Sequence, residues 1–267
     1  MQDSSHIKSS TKSVLLHRCV DPLSELITVF ILLATVLSAV LAHAMPDIAA
    51  DTALDTPDVS VEREIDIPQS VVKFDVPIQR VEGGERRNFI EHCSAYAVYK
   101  TAKHYSFLSS WHCVDGYQRT RNAPILKHVG SITKPTLLES GGSMEQDWLL
   151  MTVPEQAFDE TLTFTPLAQE PVKLGEVLYG FGWGGHAQTS LSSPKALICR
   201  AKAVGLKLAL DCGFAKGDSG GLIARRVNGK YEAVGIISAG DASTITYAYP
   251  ISVLPRSISS QIVTRTD

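Results

Sequence analysis

The chain has 267 residues, 44% hydrophobic and 20% charged, which is ample for a packed core and excludes disorder throughout. The formal net charge of −3, from 25 basic and 28 acidic residues, offers no concentrated basic surface, so nucleic acid is not an expected partner. The length allows one large domain or two small ones, and the five cysteines are an odd number that needs explaining.

Leu26 to Ala42 is an uncharged, mostly apolar run of 17 residues, preceded by Lys8, Lys12 and Arg18 and followed by Ala42-His43-Ala44. A basic segment, an apolar stretch and a small-x-small site are the marks of an export signal. Residues 1–44 are therefore expected to be a signal peptide and the protein to be secreted or periplasmic. The alternative is an uncleaved signal anchor, which would make that segment the only membrane contact and keep the rest outside the cytoplasm. Cleavage after Ala44 removes Cys19 and leaves Cys93, Cys113, Cys199 and Cys212. An even count in an exported chain reads as disulfides, with three pairings open. No Cys-x-x-Cys spacing occurs, so no metal site is expected.

Residues 45–68 carry Asp47, Asp51, Asp55, Asp58, Glu62, Glu64 and Asp66 against Arg63 alone, and no aromatic residue. Such a stretch buries little, and an acidic leader or pro-segment is expected over 45–80. From Val71 onward short apolar runs alternate with turn residues. Strands are predicted at Val71–Val76, Ala95–Tyr99, Trp148–Val153, Val177–Phe181, Ala233–Ser238 and Thr244–Tyr249. No long helical period intervenes, so the body reads as an all-β sandwich or barrel. Only Ile251–Ile262 could form a short closing helix, limited by Pro255.

The most informative segment is Asp211 to Gly221, which holds Lys216-Gly217-Asp218-Ser219-Gly220-Gly221. A serine among glycines can sit on a tight turn that aims backbone N–H groups at one point, where the oxyanion of an acyl-transfer intermediate would be held. A plain Gly-rich hairpin turn is the bland alternative. The nucleophile elbow of α/β-hydrolases is excluded, because it needs a histidine after the serine and the last one here is His186. The base must lie upstream. His92, His104, His128 and His186 have polar or Gly-rich neighbours and read as surface residues. His112 differs: it lies in Ser109-Ser110-Trp111-His112-Cys113-Val114, beside a cysteine that a disulfide can tie down. A packed core histidine is its bland reading. Asp147, where a Gly-Ser stretch meets the apolar Trp148-Leu149-Leu150-Met151, is the candidate acid; a strand-start aspartate is the alternative.

Taken together these segments resemble the trypsin-like, chymotrypsin-fold serine peptidases. Ser109–Cys113 is similar to that family's histidine motif, Asp147–Leu150 to its aspartate strand, and Lys216–Gly221 to its serine motif. Phe181-Gly182-Trp183-Gly184 resembles its Gly-Trp-Gly turn, and Gly235–Gly240 the strand lining its substrate groove. The resemblance implies two antiparallel six-stranded β-barrels with the active site in the cleft between them. The peptidase domain would span 81–267, with barrels at 81–160 and 161–267. It implies His112 as general base, Asp147 as its orienting acid, Ser219 as nucleophile, and the Gly217 and Ser219 N–H groups as oxyanion hole. It also implies the disulfides Cys93–Cys113 and Cys199–Cys212, polypeptide substrates, proteinaceous inhibitors as further partners, and no cofactor. Gly213, Ser238, Ala239 and Gly240 would line an open substrate pocket, which Asp211 or Asp241 could make attractive to a basic side chain. Arg80-Val81-Glu82-Gly83-Gly84 resembles an activation junction whose new N-terminus would pair with Asp218; a Gly-Gly turn is the simpler reading. A catalytically silent binding protein on the same scaffold is the second functional class.

Overall fold

The computed structural model describes residues 65–119, 122–159, 161–185 and 193–264. The chain divides into a unit up to Glu62 and a unit from Arg63 onward; the expected signal and most of the leader lie outside the described residues. Among the described residues no helix is long and apolar enough to cross a membrane.

Thirteen strands form two sheets among the described residues. The first holds β1 (Val71–Glu82), β2 (Glu85–Lys100), β3 (His104–Ser109), β4 (Ile125–His128), β5 (Ser131–Thr133), β6 (Thr136–Ser140) and β7 (Leu149–Pro154). The second holds β8 (Val177–Gly182), β9 (Lys195–Ala203), β10 (Leu208–Leu210), β11 (Leu222–Val227), β12 (Lys230–Gly240) and β13 (Thr246–Pro250). Every ladder is antiparallel. The second sheet closes as the expected six-stranded barrel, in the order β10-β13-β12-β11-β8-β9. The first is a seven-stranded sheet, β5-β4-β1-β2-β3-β7-β6, that curls without closing its ladder. Its extra member is the three-residue β5, which pairs back onto β4.

The six strands predicted from alternation correspond to β1, β2, β7, β8, β12 and β13. The first barrel begins ten residues ahead of the expected boundary at Val81. Val71, Val72, Phe74, Val76 and Ile78 are buried and β1 pairs with both β2 and β4, so residues 71–80 belong to the sheet and not to a leader. Gly83 and Gly84 both have positive φ and form the β1–β2 turn, so Arg80 and Val81 lie in a hairpin ladder facing Arg87 and Arg86. The closing helix α1 runs over Arg256–Thr264. Pro255 does not truncate it but starts it, its carbonyl accepting from the Ile258 and Ser259 N–H groups.

Burial separates three cores. Phe74, Ala95, Phe107, Leu126 and Met151 fill the first sheet. Leu178, Cys199, Leu208, Phe214 and Ile223 fill the closed barrel. The third core lies between them, where Tyr96, Leu108 and Trp148 meet Phe181, Leu222, Ile236 and the helix residues Ile258 and Ile262. This middle layer fixes the two sheets against each other and so sets the cleft. Both disulfides form, Cys93–Cys113 closing 20 residues of sequence and Cys199–Cys212 closing 13. Bridges of this kind are characteristic of oxidising compartments.

Candidate active site

His112 sits on a short 3-10 turn, Trp111–Val114, that follows β3. Three neighbours hold that turn. The Ser109 hydroxyl donates to the Ser94 carbonyl at 2.8 Å, the Ser110 hydroxyl to the Ile237 carbonyl at 2.8 Å, and Cys113 is bridged to Cys93 on β2. All three anchors are buried, so the imidazole is presented from a fixed backbone. Asp147 stands two residues before β7, which pairs with β3 and brings Asp147 beside the histidine turn. Its Oδ1 accepts from the His112 backbone N–H at 3.0 Å and its Oδ2 lies 2.8 Å from His112 Nδ1. Asp147 is 1% exposed, whereas the His112 side chain is 22% exposed. The carboxylate is thus shielded while the imidazole stays partly open to solvent.

The segment after Cys212 turns at Gly217, with φ +97°, and at Gly220, with φ +80°. A Cβ on Gly220 would overlap the Ser109 hydroxyl and the Ser94 carbonyl, so this serine loop can seat against the histidine turn only with glycine there. The Ser219 carbonyl accepts from the Ser94 N–H at 2.7 Å and lies 3.9 Å from Cys113 Sγ, one residue from His112. The Ser94 hydroxyl joins the same contact, donating to the Gly217 carbonyl at 2.8 Å and accepting from the Trp183 N–H at 2.8 Å. The N–H groups of Asp218, Gly220 and Gly221 are all bonded to backbone carbonyls. Among the described residues those of Gly217 and Ser219 have no acceptor. Two donors left open on a pinned turn beside a serine make a site for a localised negative charge. The Ser219 hydroxyl also has no hydrogen-bond partner among the described residues.

Asp218 is fully buried, with its Oδ1 accepting from the Gly184 N–H at 2.6 Å and its Oδ2 from the Ala215 N–H at 2.8 Å. Burial pushes its carboxyl above the ordinary range, against the lowering effect of those two donors. Gly182 and Gly184 leave the space it fills, since a Cβ on either would run into it. Both oxygens are therefore engaged without any new N-terminus, and the Arg80–Val81 segment is an ordinary hairpin strand. The Gly-Gly turn reading holds, although the turn joins the first two strands instead of preceding the first.

The residues expected to line the substrate pocket separate. Ala239 and Gly240 are exposed at the end of β12. Ser238 is buried, at a bulge in the β12–β13 ladder between Ile237 and Ala239, and its hydroxyl donates to Asp147 Oδ2 at 2.5 Å. It supports the His112–Asp147 pair and is not a wall of the pocket. The bulge reverses its side chain, which sequence alternation could not reveal. The backbone segments approach one another closely at this point. A Cβ on Gly240 would overlap the Phe214 carbonyl, one on Gly213 would come within 2.7 Å of the Ser243 nitrogen, and the Ala242 N–H donates to Phe214 O at 3.1 Å. Buried Thr246 laces this floor, its hydroxyl accepting from Phe214 N at 3.0 Å and donating to Cys212 O at 2.6 Å. Neither aspartate waits there for a basic group. Asp241 is spent on its own turn, accepting from the Ser243, Thr244 and Ile245 N–H groups and the Thr244 hydroxyl, which hold it far below the usual carboxylate range. Asp211 pairs with Lys202 at 3.2 Å and accepts from the Arg200 N–H.

Of the histidines expected at the surface, His92 is half-exposed and paired with Asp75, His104 is partly exposed, and His186 lies outside the described residues. His128 is 5% exposed, because β4 turns it inward against Phe158.

No protein-family model matches the chain, and no curated protein matches its sequence. Solved structures do. The Rv3671c protease of M. tuberculosis in its active form matches at 15% identity, with a TM-score of 0.55 over 74% of this chain and 82% of that one. The thermostable serine protease AL20 from an extremophilic microorganism matches at 15% identity, with a TM-score of 0.54 over 74% of this chain and 98% of that one. The fold is that of the trypsin-like serine proteases.

Proposed function

We propose that this chain is a secreted serine endopeptidase that hydrolyses peptide bonds through Ser219, His112 and Asp147. The observation that carries this reading is the His112–Asp147 pair, shielded on its acid side and set one residue from the cysteine that touches the Ser219 backbone. His112 Nε2 takes the proton of the Ser219 hydroxyl as its oxygen attacks the peptide carbonyl. Asp147 keeps Nδ1 protonated and stabilises the imidazolium. The carbonyl oxygen becomes an oxyanion held by the Gly217 and Ser219 N–H groups, each such donor lowering the barrier by about 3–4 kcal/mol. His112 returns the proton to the leaving amine, and the C–N bond breaks to give the acyl-enzyme. Water then attacks the ester, its proton passing through His112, and Ser219 is regenerated. No step asks for a metal or cofactor.

The site assembles without cleavage at Arg80–Val81, because Asp218 draws its partners from Gly184 and Ala215. The contact of Gly240 and Gly213 with the opposite backbone favours a small residue, Gly, Ala or Ser, on the acyl side of the bond cut. An irreversible phosphonylating probe should label the purified protein at Ser219, and Ser219→Ala should keep its fold while losing about 10⁴-fold or more of its peptide hydrolysis. Unchanged turnover in that variant refutes the assignment.

A further inference from the structure

Ser94 lies on β2, one residue after the disulfide-bonded Cys93, and is fully buried. The β2–β3 ladder ends at the Tyr96–Leu108 pair, and beyond it the Ser94 main chain turns to other partners. Its N–H donates to the Ser219 carbonyl at 2.7 Å, and its carbonyl accepts from the Ser109 hydroxyl at 2.8 Å. Its hydroxyl donates to the Gly217 carbonyl at 2.8 Å and accepts from the Trp183 backbone N–H at 2.8 Å. Ser94 therefore grips the carbonyls of Gly217 and Ser219, the same two residues whose N–H groups have no acceptor among the described residues.

A hydroxyl has one proton to give. The Trp183 N–H takes up a lone pair of Ser94 Oγ, which aims that proton at Gly217. Gly217 needs such a hold, because at φ +97° it has the backbone freedom of glycine and no side chain to anchor it. The two peptide groups that flank it are pinned separately. In the preceding group the Lys216 carbonyl accepts from the Gly185 N–H at 3.2 Å. In the following group the Asp218 N–H donates to the Ala215 carbonyl at 3.0 Å, while the Gly217 carbonyl takes the Ser94 proton. The successive N–H groups of Trp183, Gly184 and Gly185 thus serve Ser94, Asp218 and Lys216 in turn. This short turn is a template for the serine loop, and the Ser94 hydroxyl carries its first contact across to Gly217.

We propose that Ser94 is a positioning residue of the oxyanion site: its hydroxyl fixes the Gly217 peptide so that the Gly217 N–H stays aimed at the developing charge. It acts through Gly217 and not on the substrate. The inference rests on the peptidase reading above and deepens it.

The test compares Ser94→Ala, which deletes the hydroxyl, with Ser94→Cys, which keeps a weaker donor of similar shape. One oxyanion donor is worth about 10²–10³ in kcat, so a donor that is loosened and not removed should cost Ser94→Ala about 10- to 100-fold in kcat, with KM within about twofold. Ser94→Cys should fall between Ser94→Ala and the wild type. A peptidyl trifluoromethyl ketone, whose adduct with Ser219 carries the oxyanion, should lose affinity by the factor that kcat/KM loses, whereas the matching alcohol should bind Ser94→Ala as it binds the wild type. Wild-type kcat in a folded Ser94→Ala protein, or equal weakening of ketone and alcohol, overturns the inference and leaves the peptidase reading intact. A wild type that neither hydrolyses peptides nor binds the ketone overturns the peptidase reading instead, and amide hydrogen exchange then still judges Ser94. Exchange of the Asp218, Gly220 and Gly221 N–H groups should quicken about tenfold or more in Ser94→Ala while β11 and β12 stay protected. Unchanged exchange in the loop, or quickening throughout both strands as well, sinks the proposal.

Discussion

Replacing Ser238 by Ala removes one of the three hydrogen bonds that Asp147 accepts. The other two come from the His112 backbone N–H at 3.0 Å and from Nδ1 at 2.8 Å. The lost bond is the shortest, 2.5 Å to Oδ2, and its acceptor is a buried carboxylate. A hydrogen bond to a charged group contributes roughly 1.5–3 kcal/mol. Oδ2 is also the oxygen that holds the ring, so the loss should appear where His112 must accept and return a proton. At 1.4 kcal/mol per tenfold, kcat should fall between about 10-fold and about 150-fold, with KM little changed. Initial rates over a substrate range give the split, and circular dichroism checks the fold. Groups acting as a unit are not additive, so adding Ser238→Ala to Ser219→Ala should cost nothing further. A folded Ser238→Ala protein with wild-type kcat, or one in which only KM rises, would refute the positioning role. The second outcome would return Ser238 to the substrate pocket.

Gly220→Ala forces a Cβ into the Ser109 hydroxyl and the Ser94 carbonyl at a positive φ, and should destabilise the protein by more than about 2 kcal/mol in denaturant unfolding and abolish labelling by the serine probe; wild-type stability would mean the seam between the two turns is looser than described. Asp218 gives a pH test, since its folded carboxyl is raised by burial. Between that raised value and the ordinary carboxylate value the native state binds a proton that the unfolded chain does not, so the contribution to stability is full at low pH and is lost as pH rises. The stability of the wild type relative to Asp218→Asn should therefore improve as pH falls through that window, while activity drops because a protonated Asp218 can no longer accept from both Gly184 and Ala215; a pH-independent difference falsifies the assignment. Each disulfide should add about 3 kcal/mol by restricting the unfolded chain, the 20-residue Cys93–Cys113 loop slightly more than the 13-residue one, and paired Cys→Ala variants in thermal melts measure it. Loss of the Cys93–Cys113 bridge should in addition lower kcat, because it anchors the residue after His112; equal kcat in the two variants would argue against that.

Much of the site was legible along the chain because its chemistry is local. Ser219 stands among glycines whose freedom the turn requires, and no histidine follows it, so a histidine to partner it is to be sought upstream. His112 was distinguishable by its neighbouring cysteine, and β1, β2, β7, β8, β12 and β13 by alternation over strands with one wet and one dry face. What could not be read was decided by irregularity and by pairing at a distance. β4, β5 and β10 are only three or four residues long, too short for a period to show. Ser238 looked like a groove residue because the bulge that turns it onto Asp147 exists only when β12 is laid against β13. Asp218 precedes the serine as a partner of a cleaved N-terminus would, yet Gly184, 34 residues earlier, donates to its carboxylate.

By itself, then, the sequence determined the all-β body, the chain order of His112, Asp147 and Ser219, and the glycine turn around Ser219. Tertiary structure alone decided which groups engage the carboxylates of Asp147, Asp218 and Asp241, and that Ser238 turns inward at a bulge. The physical reason is one of range. Backbone conformation and periodic burial are fixed by neighbours in the chain, whereas a charge or a pocket is defined by groups that only the folding of two sheets onto a common core brings within a few ångströms.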